Sequence, residues 1–418
     1  MLLGLSVAAS AQTPAVQPAS VAPPTAPAAQ DSTPGRIPEP RLVTKLLDKF
    51  GGRFTPSGDV KDGFYVRTGM RMPGAGWIAG GPGYRTHFAN QQMFIDMSGA
   101  ISWRQFSAAE VRLEMPHLSK DRLLLGVQVL GQDWSQIKYF GSGQDSLTSN
   151  VSQYRMQAQD YDVYAIVRPS HAFDFRLRGG MLSRPRISKA VGWNLRPYPD
   201  TVTFLTDATA PGLTAQPHFL HADTTLTIDT LDHPGHPAHG GLWQLAASTF
   251  HDRDLGRYSF NRVELVGIRF VPIVDDKWTF GARLTAIASQ TSGANAVPFY
   301  FYPSLGGQSV LRGFESDRFH DRNLVALNLE SRWALMTHVD AALFADLGEV
   351  APALKAFNAS HLEKAWGVGL RVHTGFNTIA RLDVGHSRAN GWMMSFKMDD
   401  SFSLSTIKRW ATVVPIVP

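Results

Sequence analysis

Residues 324–335 read LVALNLESRWAL. Apolar side chains alternate with small, polar or charged ones. One face holds Val325, Leu327, Leu329, Trp333 and Leu335, and the opposite face holds Asn328, Glu330 and Arg332. A period of two residues predicts a β-strand with one apolar and one polar face. Charges of both signs on the polar face favour a water-filled lumen over the dry core of a soluble sandwich.

The same alternation recurs along the chain. It is clear in residues 109–115, 173–181, 222–229, 278–288 and 392–399. The predicted strands run about 9–13 residues, the length that a tilted strand needs to cross hydrocarbon, whereas soluble strands average about five or six. Single-chain bacterial barrels have an even number of strands. We therefore predict an all-β fold, a transmembrane β-barrel of about sixteen antiparallel strands in the outer membrane.

Composition excludes several other classes of protein. Hydrophobic residues make up 44% of the 418 residues. The chain has no apolar run of about 18 residues, so a helical membrane protein is not predicted. Cysteine is absent, which rules out disulfides, thiolate metal sites and a lipidated cysteine. The formal charge is +5, but no basic run with interleaved aromatic residues predicts a nucleic-acid partner.

The chain divides into five predicted segments. Residues 1–11 resemble a signal peptide that ends in Ala9-Ser10-Ala11, although its basic start is missing. Residues 12–40 are rich in proline and alanine and predict a disordered linker. Residues 41–59 form a periplasmic lead-in whose spacing allows a short helix. Residues 60–402 form the barrel, and residues 403–418 form a C-terminal tail.

Turn lengths predict the orientation. Short turns near 169–172, 274–276 and 337–339 alternate with long connections at 131–150, 183–217 and 290–322. The short side is expected to be periplasmic and the long side extracellular. A hairpin is needed near 105–107, where no Gly, Pro or Asn is present. The alternation slips by one residue in 154–167 and 260–270, which predicts bulges there.

Two motifs late in the chain are specific. Leu311-Arg312-Gly313-Phe314 lies in the last long connection, and Phe344-x-Asp346-x-Gly348 follows on a later strand. Together they resemble the bacterial surface antigen superfamily, which includes the barrels of BamA, TamA and the two-partner secretion transporters. The likeness covers residues 60–402 and is strongest from 222 onward. Weaker matches are the turn at 229–240, Gly367-x-Gly369-x-Arg371 and Arg381-x-Asp383.

The resemblance implies a loop that folds back into the barrel. Arg312 would then meet Asp346 and Glu330, in a lumen that we expect to be wet. The other predicted lumenal charges are Arg332, Arg371, Arg381 and Asp383. The resemblance also implies a last strand ending at Phe402, as an aromatic insertion signal.

The resemblance further implies a function. It predicts a barrel that assists insertion or translocation of protein or lipid at the outer membrane, with a loop gated by Arg312. Outer-membrane lipid would be one partner. Residues before 60 leave no room for a POTRA domain, so a periplasmic or outer-membrane protein is expected to supply that role. A passive diffusion pore, or a structural or adhesive surface barrel, remains the alternative.

Enzymatic and metal-dependent functions are not predicted. Residues 307–311 read GQSVL and lack the final glycine of a nucleophile elbow. His233, His236 and His239 lie in a proline-containing turn, where solvated histidines are favoured over metal ligands. An outer-membrane hydrolase is the weakest hypothesis. We predict no catalytic residue, no metal and no cofactor.

Overall fold

The computed structural model describes residues 62–68, 79–233, 235–275, 277–374, 377–400, 402 and 404. The predicted signal peptide, linker and lead-in lie outside the described residues, as does the predicted tail except for Leu404. The part of the chain that the structure describes contains no helix long and apolar enough to cross a bilayer.

Strands dominate the structure. They are β1 (Gly63–Thr68), β2 (Ala79–Phe88), β3 (Met93–Ser102), β4 (Ser107–Leu118), β5 (Leu123–Tyr139), β6 (Ser152–Ser170), β7 (Phe173–Leu182), β8 (Arg186–Lys189), β9 (Phe219–Asp229), β10 (Gly240–Asp252), β11 (Phe260–Val274), β12 (Trp278–Gln290), β13 (Ser304–Leu305), β14 (Phe319–His320), β15 (Asn323–Ala334), β16 (Val339–Ala351), β17 (Glu363–His373), β18 (Thr378–Ser387) and β19 (Gly391–Lys397). Short helical turns are α1 (Thr201–Phe204) and the 3-10 turns Thr148–Asn150, Phe299–Phe301, Leu354–Ala356 and Ala359–His361.

Sixteen of the described strands form one antiparallel ladder of successive neighbours. The ladder runs β1 to β7, then β9 to β12, then β15 to β19. Strand β8 pairs separately with β6, and β13 pairs with β14 in a small sheet of its own. The predicted sixteen-stranded antiparallel fold is confirmed.

The sheet curls around the connection between β12 and β15, residues 291–322, which we call the lumenal loop. Within this loop, the Phe299 ring lies 5.1 Å from the ring of Tyr139 on β5 and 5.0 Å from that of Tyr154 on β6. Leu305 of the same loop packs against Gly348 on β16. Strands from distant parts of the ladder therefore surround one loop, as a barrel requires.

Burial alternates along the strands as the sequence predicted. Glu330 and Asp346 face inward and are 1% and 0% exposed, whereas Leu327 and Leu343 face outward. Aromatic pairs on the outer face lie at both ends of the barrel. Trp278 and Trp333 stack 6.1 Å apart beside the short turns, and Trp366 lies 5.4 Å from Trp392 beside the long loops. Apolar bands flanked by aromatic girdles are typical of outer-membrane barrels.

The predicted bulges at 154–167 and 260–270 are wrong. Burial alternates without a slip along β6 from Tyr154 to Ile166, and the extra residue lies opposite on β5, between Trp134 and Ile137. The β10–β11 register is continuous from Gly240–Phe270 to Phe250–Phe260. The apparent slips arise because apolar side chains at these positions face inward and pack on segments inside the barrel.

The hairpin between β3 and β4 forms without a conventional turn residue. Gln105 adopts a left-handed backbone with φ of 62°, and its N–H donates to the Ser102 carbonyl at 2.9 Å. The Gln105 side chain also accepts a hydrogen bond from the Trp193 backbone N–H at 3.1 Å. The connection between β8 and β9, which contains Trp193, therefore supports this hairpin.

The last strand ends at Lys397, so the predicted strand end at Phe402 is wrong. Phe402 is buried inside the barrel, where its ring lies 5.4 Å from that of Phe270. Its carbonyl accepts a hydrogen bond of 3.0 Å from Arg283 Nη1. The chain leaves the ladder and turns inward because a buried apolar cluster and an arginine donor are available there.

A matched pair of substitutions tests the lipid-facing surface. Leu343 on β16 is 47% exposed and Leu354 in an extracellular connection is 52% exposed. Leu343→Arg should lower the unfolding free energy of the barrel in vesicles by about 2–4 kcal/mol if the residue lies near the midplane, because arginine is poorly solvated by lipid. Leu354→Arg should have little effect, since that side chain faces water. Equal losses from both changes would contradict the assignment.

Candidate functional site

The lumenal loop is fixed inside the barrel by the side chains that flank Arg312. Leu311 and Phe314 are buried in an apolar cluster with Leu324, Ala326 and Val350 of β15 and β16. Gly313 between them has φ of 93°, a left-handed backbone that favours glycine. The Gly313 carbonyl accepts a hydrogen bond of 2.8 Å from the Ser387 hydroxyl on β18. The motif thus turns sharply against the barrel wall.

The Arg312 guanidinium makes a two-sided clamp. Its Nε and Nη2 donate to the two carboxylate oxygens of Asp346, each at 2.8 Å, and Nη1 donates to Glu330 Oε2 at 2.7 Å. The Arg312 backbone N–H also donates to Asp346, at 2.9 Å. Two parallel hydrogen bonds from one guanidinium to both oxygens of one carboxylate make a strong and specific arginine–carboxylate contact. We call Arg312, Glu330 and Asp346 the loop clamp.

Each residue of the Phe344-x-Asp346-x-Gly348 motif has a physical role. The Phe344 ring lies under the guanidinium, whose central carbon is 3.7 Å from the ring centroid, a cation–π contact. Asp346 supplies the bidentate carboxylate. Gly348 leaves space for Leu305, because a Cβ there would lie 2.6 Å from Leu305 Cδ1. Gly367 on β17 makes room for the ring, since its Cβ would lie 2.6 Å from Phe344 Cζ.

A chain of alternating charges extends from the clamp. Glu330 Oε2 also accepts from Arg371 Nη2 at 2.7 Å. Arg371 Nη1 lies 2.7 Å from Asp383 Oδ1, and Arg381 Nη1 donates to Asp383 Oδ2 at 3.0 Å. Arg381 Nη2 then donates to the Gln308 carbonyl at 2.6 Å. The chain therefore begins and ends on the lumenal loop and holds it at two points.

Arg332 lies apart from this chain of contacts. Its guanidinium bonds the Pro237 carbonyl and lies 3.2 Å from His236 Nδ1, in the turn between β9 and β10. The expectation that His236 is solvated is wrong. His236 Nε2 lies 3.1 Å from Asp340 Oδ2, and its ring stacks on His373 at 3.8 Å. This turn folds over the lumen and contacts strands β15 to β18.

Sequence reasoning missed several groups around the clamp. Asn328 Nδ2 donates to Asp346 Oδ1 at 2.8 Å and to the Val310 carbonyl at 2.7 Å. Arg283 on β12 donates to Asn328 Oδ1 at 2.7 Å and bonds the Ser309 carbonyl. Asn328 precedes Glu330 by two residues on the same predicted face, so the sequence predicts that its side chain faces inward. The sequence does not predict which groups that side chain contacts.

The expectation of a wet site is wrong. The clamp side chains are 2%, 1% and 0% exposed for Arg312, Glu330 and Asp346. Burial alone would lower the pKa of Arg312, but the Asp346 and Glu330 carboxylates raise it above its ordinary value. The guanidinium stays charged, and removing it leaves two carboxylates in a dry environment.

Residues 109–390 match the Omp85 superfamily domain. The chain belongs to the Omp85 superfamily. Omp85 proteins of this kind are barrels of the outer membrane, so the predicted location is confirmed. The search of curated proteins gave no match.

The fold of this Omp85 barrel is similar to that of a solved BamA structure. BamA from Haemophilus ducreyi lacking POTRA domains 1-3 is 12% identical, with a TM-score of 0.60 over 80% of this chain and 70% of that chain. CdiB from Acinetobacter baumannii (12% identical, TM-score 0.47) and CdiB from Escherichia coli (13%, 0.48) are each matched over 80% of this chain. This chain spans only 58% and 60% of those two proteins.

Removing Arg312 tests the dry clamp. Arg312→Ala should lower the stability of the folded barrel by about 3–5 kcal/mol, because two buried carboxylates lose their partner. Arg312→Lys should retain only part of the stability that Arg312→Ala loses, since an ammonium group cannot make two parallel hydrogen bonds to one carboxylate as a planar guanidinium does. Arg322→Ala, a half-buried arginine at the end of the same loop, should change stability by less than about 0.5 kcal/mol. Unfolding in denaturant followed by tryptophan fluorescence measures all three, and equal small losses would contradict a dry clamp.

Proposed function

We propose that this Omp85 barrel assists insertion or translocation of proteins or lipids at the outer membrane. In this proposal the lumenal loop is a gate, and the loop clamp holds it in the resting position. Membership of the superfamily supports the general role. The substrate and the gating role are our own inference from the site.

The observation that carries the proposal is that segments from both ends fill the lumen. On the extracellular side, Phe299, Tyr300, Phe301 and Tyr302 of the lumenal loop are buried in a cluster with strand residues. On the periplasmic side, the β9–β10 turn crosses to β15–β18, and Phe402 packs with Leu242 and Ile268. A passive diffusion pore needs an open aqueous path, so this arrangement favours a gated barrel.

A partner is proposed for the periplasmic face. Strand β1 begins, and β19 ends, on the side of the short turns, as the pairing of Gly63 with Arg85 and of Lys397 with Arg381 indicates. We infer that both strand ends lie at the periplasmic face. We propose that a periplasmic or outer-membrane protein docks there, and that lipid of the outer membrane surrounds the apolar outer face.

No catalytic role is proposed for the clamp. Its charged groups bond one another and the loop backbone, so among the described residues the clamp offers no free nucleophile or base. We infer that the network serves to hold the loop, with a strength that a substrate or partner must overcome.

Reconstitution distinguishes the gated barrel from the passive pore. In planar bilayers the wild type should conduct little, whereas Arg312→Ala should show larger and longer openings because the loop is released. In liposomes the wild type should accelerate insertion of a small outer-membrane barrel added from urea, and Arg312→Ala should change that rate. Arg322→Ala should match the wild type in both assays. Steady conductance by the wild type without accelerated insertion would favour the passive pore.

A further inference from the structure

A second charged cluster lies on the inner face, away from the loop clamp. Asp162 on β6, Gly180 on β7 and His221 on β9 form one row of directly paired residues across three strands. Asp160 lies two residues from Asp162 on the same face. His221 Nε2 is 3.0 Å from Asp160 Oδ1 and 3.2 Å from Asp162 Oδ1. All three side chains are buried, with exposures of 4% or less.

Gly180 creates the space between these groups. A Cβ at this position would lie 2.7 Å from His221 Nε2 and would overlap Asp162 Oδ1. Any other residue would therefore occupy the gap in the middle of the row. The glycine allows Asp162 and His221 to face each other across β7.

Hydrogen bonding on the far side of His221 orients its ring. Asp223 Oδ2 lies 2.9 Å from His221 Nδ1, and Arg178 Nη2 lies 2.8 Å from the same carboxylate oxygen. A carboxylate at Nδ1 favours a proton on that nitrogen, so a cation at Nε2 would replace only the proton that Nε2 shares with Asp160. This carboxylate–histidine arrangement is the usual outer shell of a metal-bound histidine.

The carboxylates have unused acceptor atoms. Among the described residues, Asp160 Oδ2 and Asp162 Oδ2 accept no hydrogen bond, although both are buried. With a metal ion on Nε2 the histidine is neutral, so three carboxylates and one arginine carry a net charge of −2, which a divalent cation would neutralise. A buried carboxylate oxygen without a partner is costly, so a bound cation would relieve both problems.

We propose that Asp160, Asp162 and His221 bind a divalent transition-metal ion of the Zn²⁺ class, with Asp223 in the outer shell. One ligand atom from each of the three lies within 4.8 Å of the others. Zinc bonds to nitrogen and oxygen of about 2.0–2.2 Å place tetrahedral ligand atoms about 3.3–3.6 Å apart, close to the separations found here. One imidazole with two carboxylates suits Zn²⁺ or Mn²⁺ better than Mg²⁺ or Ca²⁺. The ion would join β6 to β9 across β7.

A second cluster, formed by His236, Asp340 and His373, also brings possible metal ligands together, but we do not propose it as a metal site. Its ligand atoms also converge, but Arg332 Nη1 lies 3.2 Å from His236 Nδ1 and donates to it. The His236 proton then belongs on Nε2, where it makes a hydrogen bond to Asp340. A cation at that nitrogen would displace this bond beside an arginine, so the cluster is held by hydrogen bonds instead.

Metal binding by the full chain, without a histidine tag, tests the proposal. The refolded protein in micelles is stripped with a chelator and titrated with Zn²⁺ by calorimetry at neutral pH. The wild type should bind one equivalent, and His221→Gln and the Asp160→Asn/Asp162→Asn double variant should bind at least 100-fold more weakly. Asp223→Asn should lose about 10–100-fold as an outer-shell change. His373→Gln should bind like the wild type.

X-ray absorption of the Zn²⁺-loaded wild type makes the test independent of variants that fail to fold. The proposal requires that the bound Zn²⁺ has one imidazole nitrogen among its ligands and that all its other ligands are oxygen atoms. Two imidazoles would assign the ion to His236 and His373 and would overturn the proposal. So would the absence of binding at tens of micromolar Zn²⁺, or unchanged affinity in a folded His221→Gln variant.

Discussion

The constraint on which the structure depends is the placement of one guanidinium inside a barrel. Arg312 is carried into the lumen by the loop between β12 and β15, and a buried cation must be matched by nearby carboxylates. Asp346 and Glu330 provide that match from adjacent strands, at 2.7–2.8 Å. The glycines at 348 and 367 then follow from packing, because the loop and the Phe344 ring need space against the wall. The clamp therefore explains why small and charged residues share one face of β15 to β18.

The rest of the interior is arranged around this contact. An aromatic cluster lies at the end of the long connections, and the turn containing His236 and the segment containing Phe402 lie at the end of the short turns. Between the two ends, the inner face carries charges that bond one another, as in the chain from Glu330 to Arg381. A second group of charges, around His221, lies on the opposite part of the ladder. In the proposed function this filled lumen is the closed state, and opening it would require breaking buried charged contacts.

The sequence was sufficient for the architecture and for the central contact. Period-two alternation in residues 324–335 identified the inner and outer faces, and the Leu311–Phe314 motif placed Arg312 opposite Asp346 and Glu330. The sequence was not sufficient to predict the structure at positions where an apolar side chain faces the inside of the barrel. The apparent slips in 154–167 and 260–270 predict bulges that are absent, because alternation alone cannot distinguish lipid from a loop folded into the barrel. The strand end at Phe402, which the resemblance implies, is wrong because Phe402 packs inside the barrel. The prediction that His236 is exposed to solvent is wrong because its partners, Arg332 and Asp340, are distant in sequence. The sequence also does not show that water is excluded from the loop clamp, since this depends on how closely the lumenal loop packs against the barrel wall.

The lumenal loop lies inside the folded barrel, where Leu305 packs beside Gly348 of β16. Because the chain has no cysteine, a Leu305→Cys/Gly348→Cys pair can be cross-linked without background. The most direct measurement is the yield of this cross-link, with a short thiol-specific reagent, in the folded protein in native membranes, read by mass spectrometry. We expect the link in most of the folded molecules, and much less of it when Arg312→Ala is added. Absence of the link in folded protein, with both cysteines open to a small water-soluble maleimide, would contradict the account.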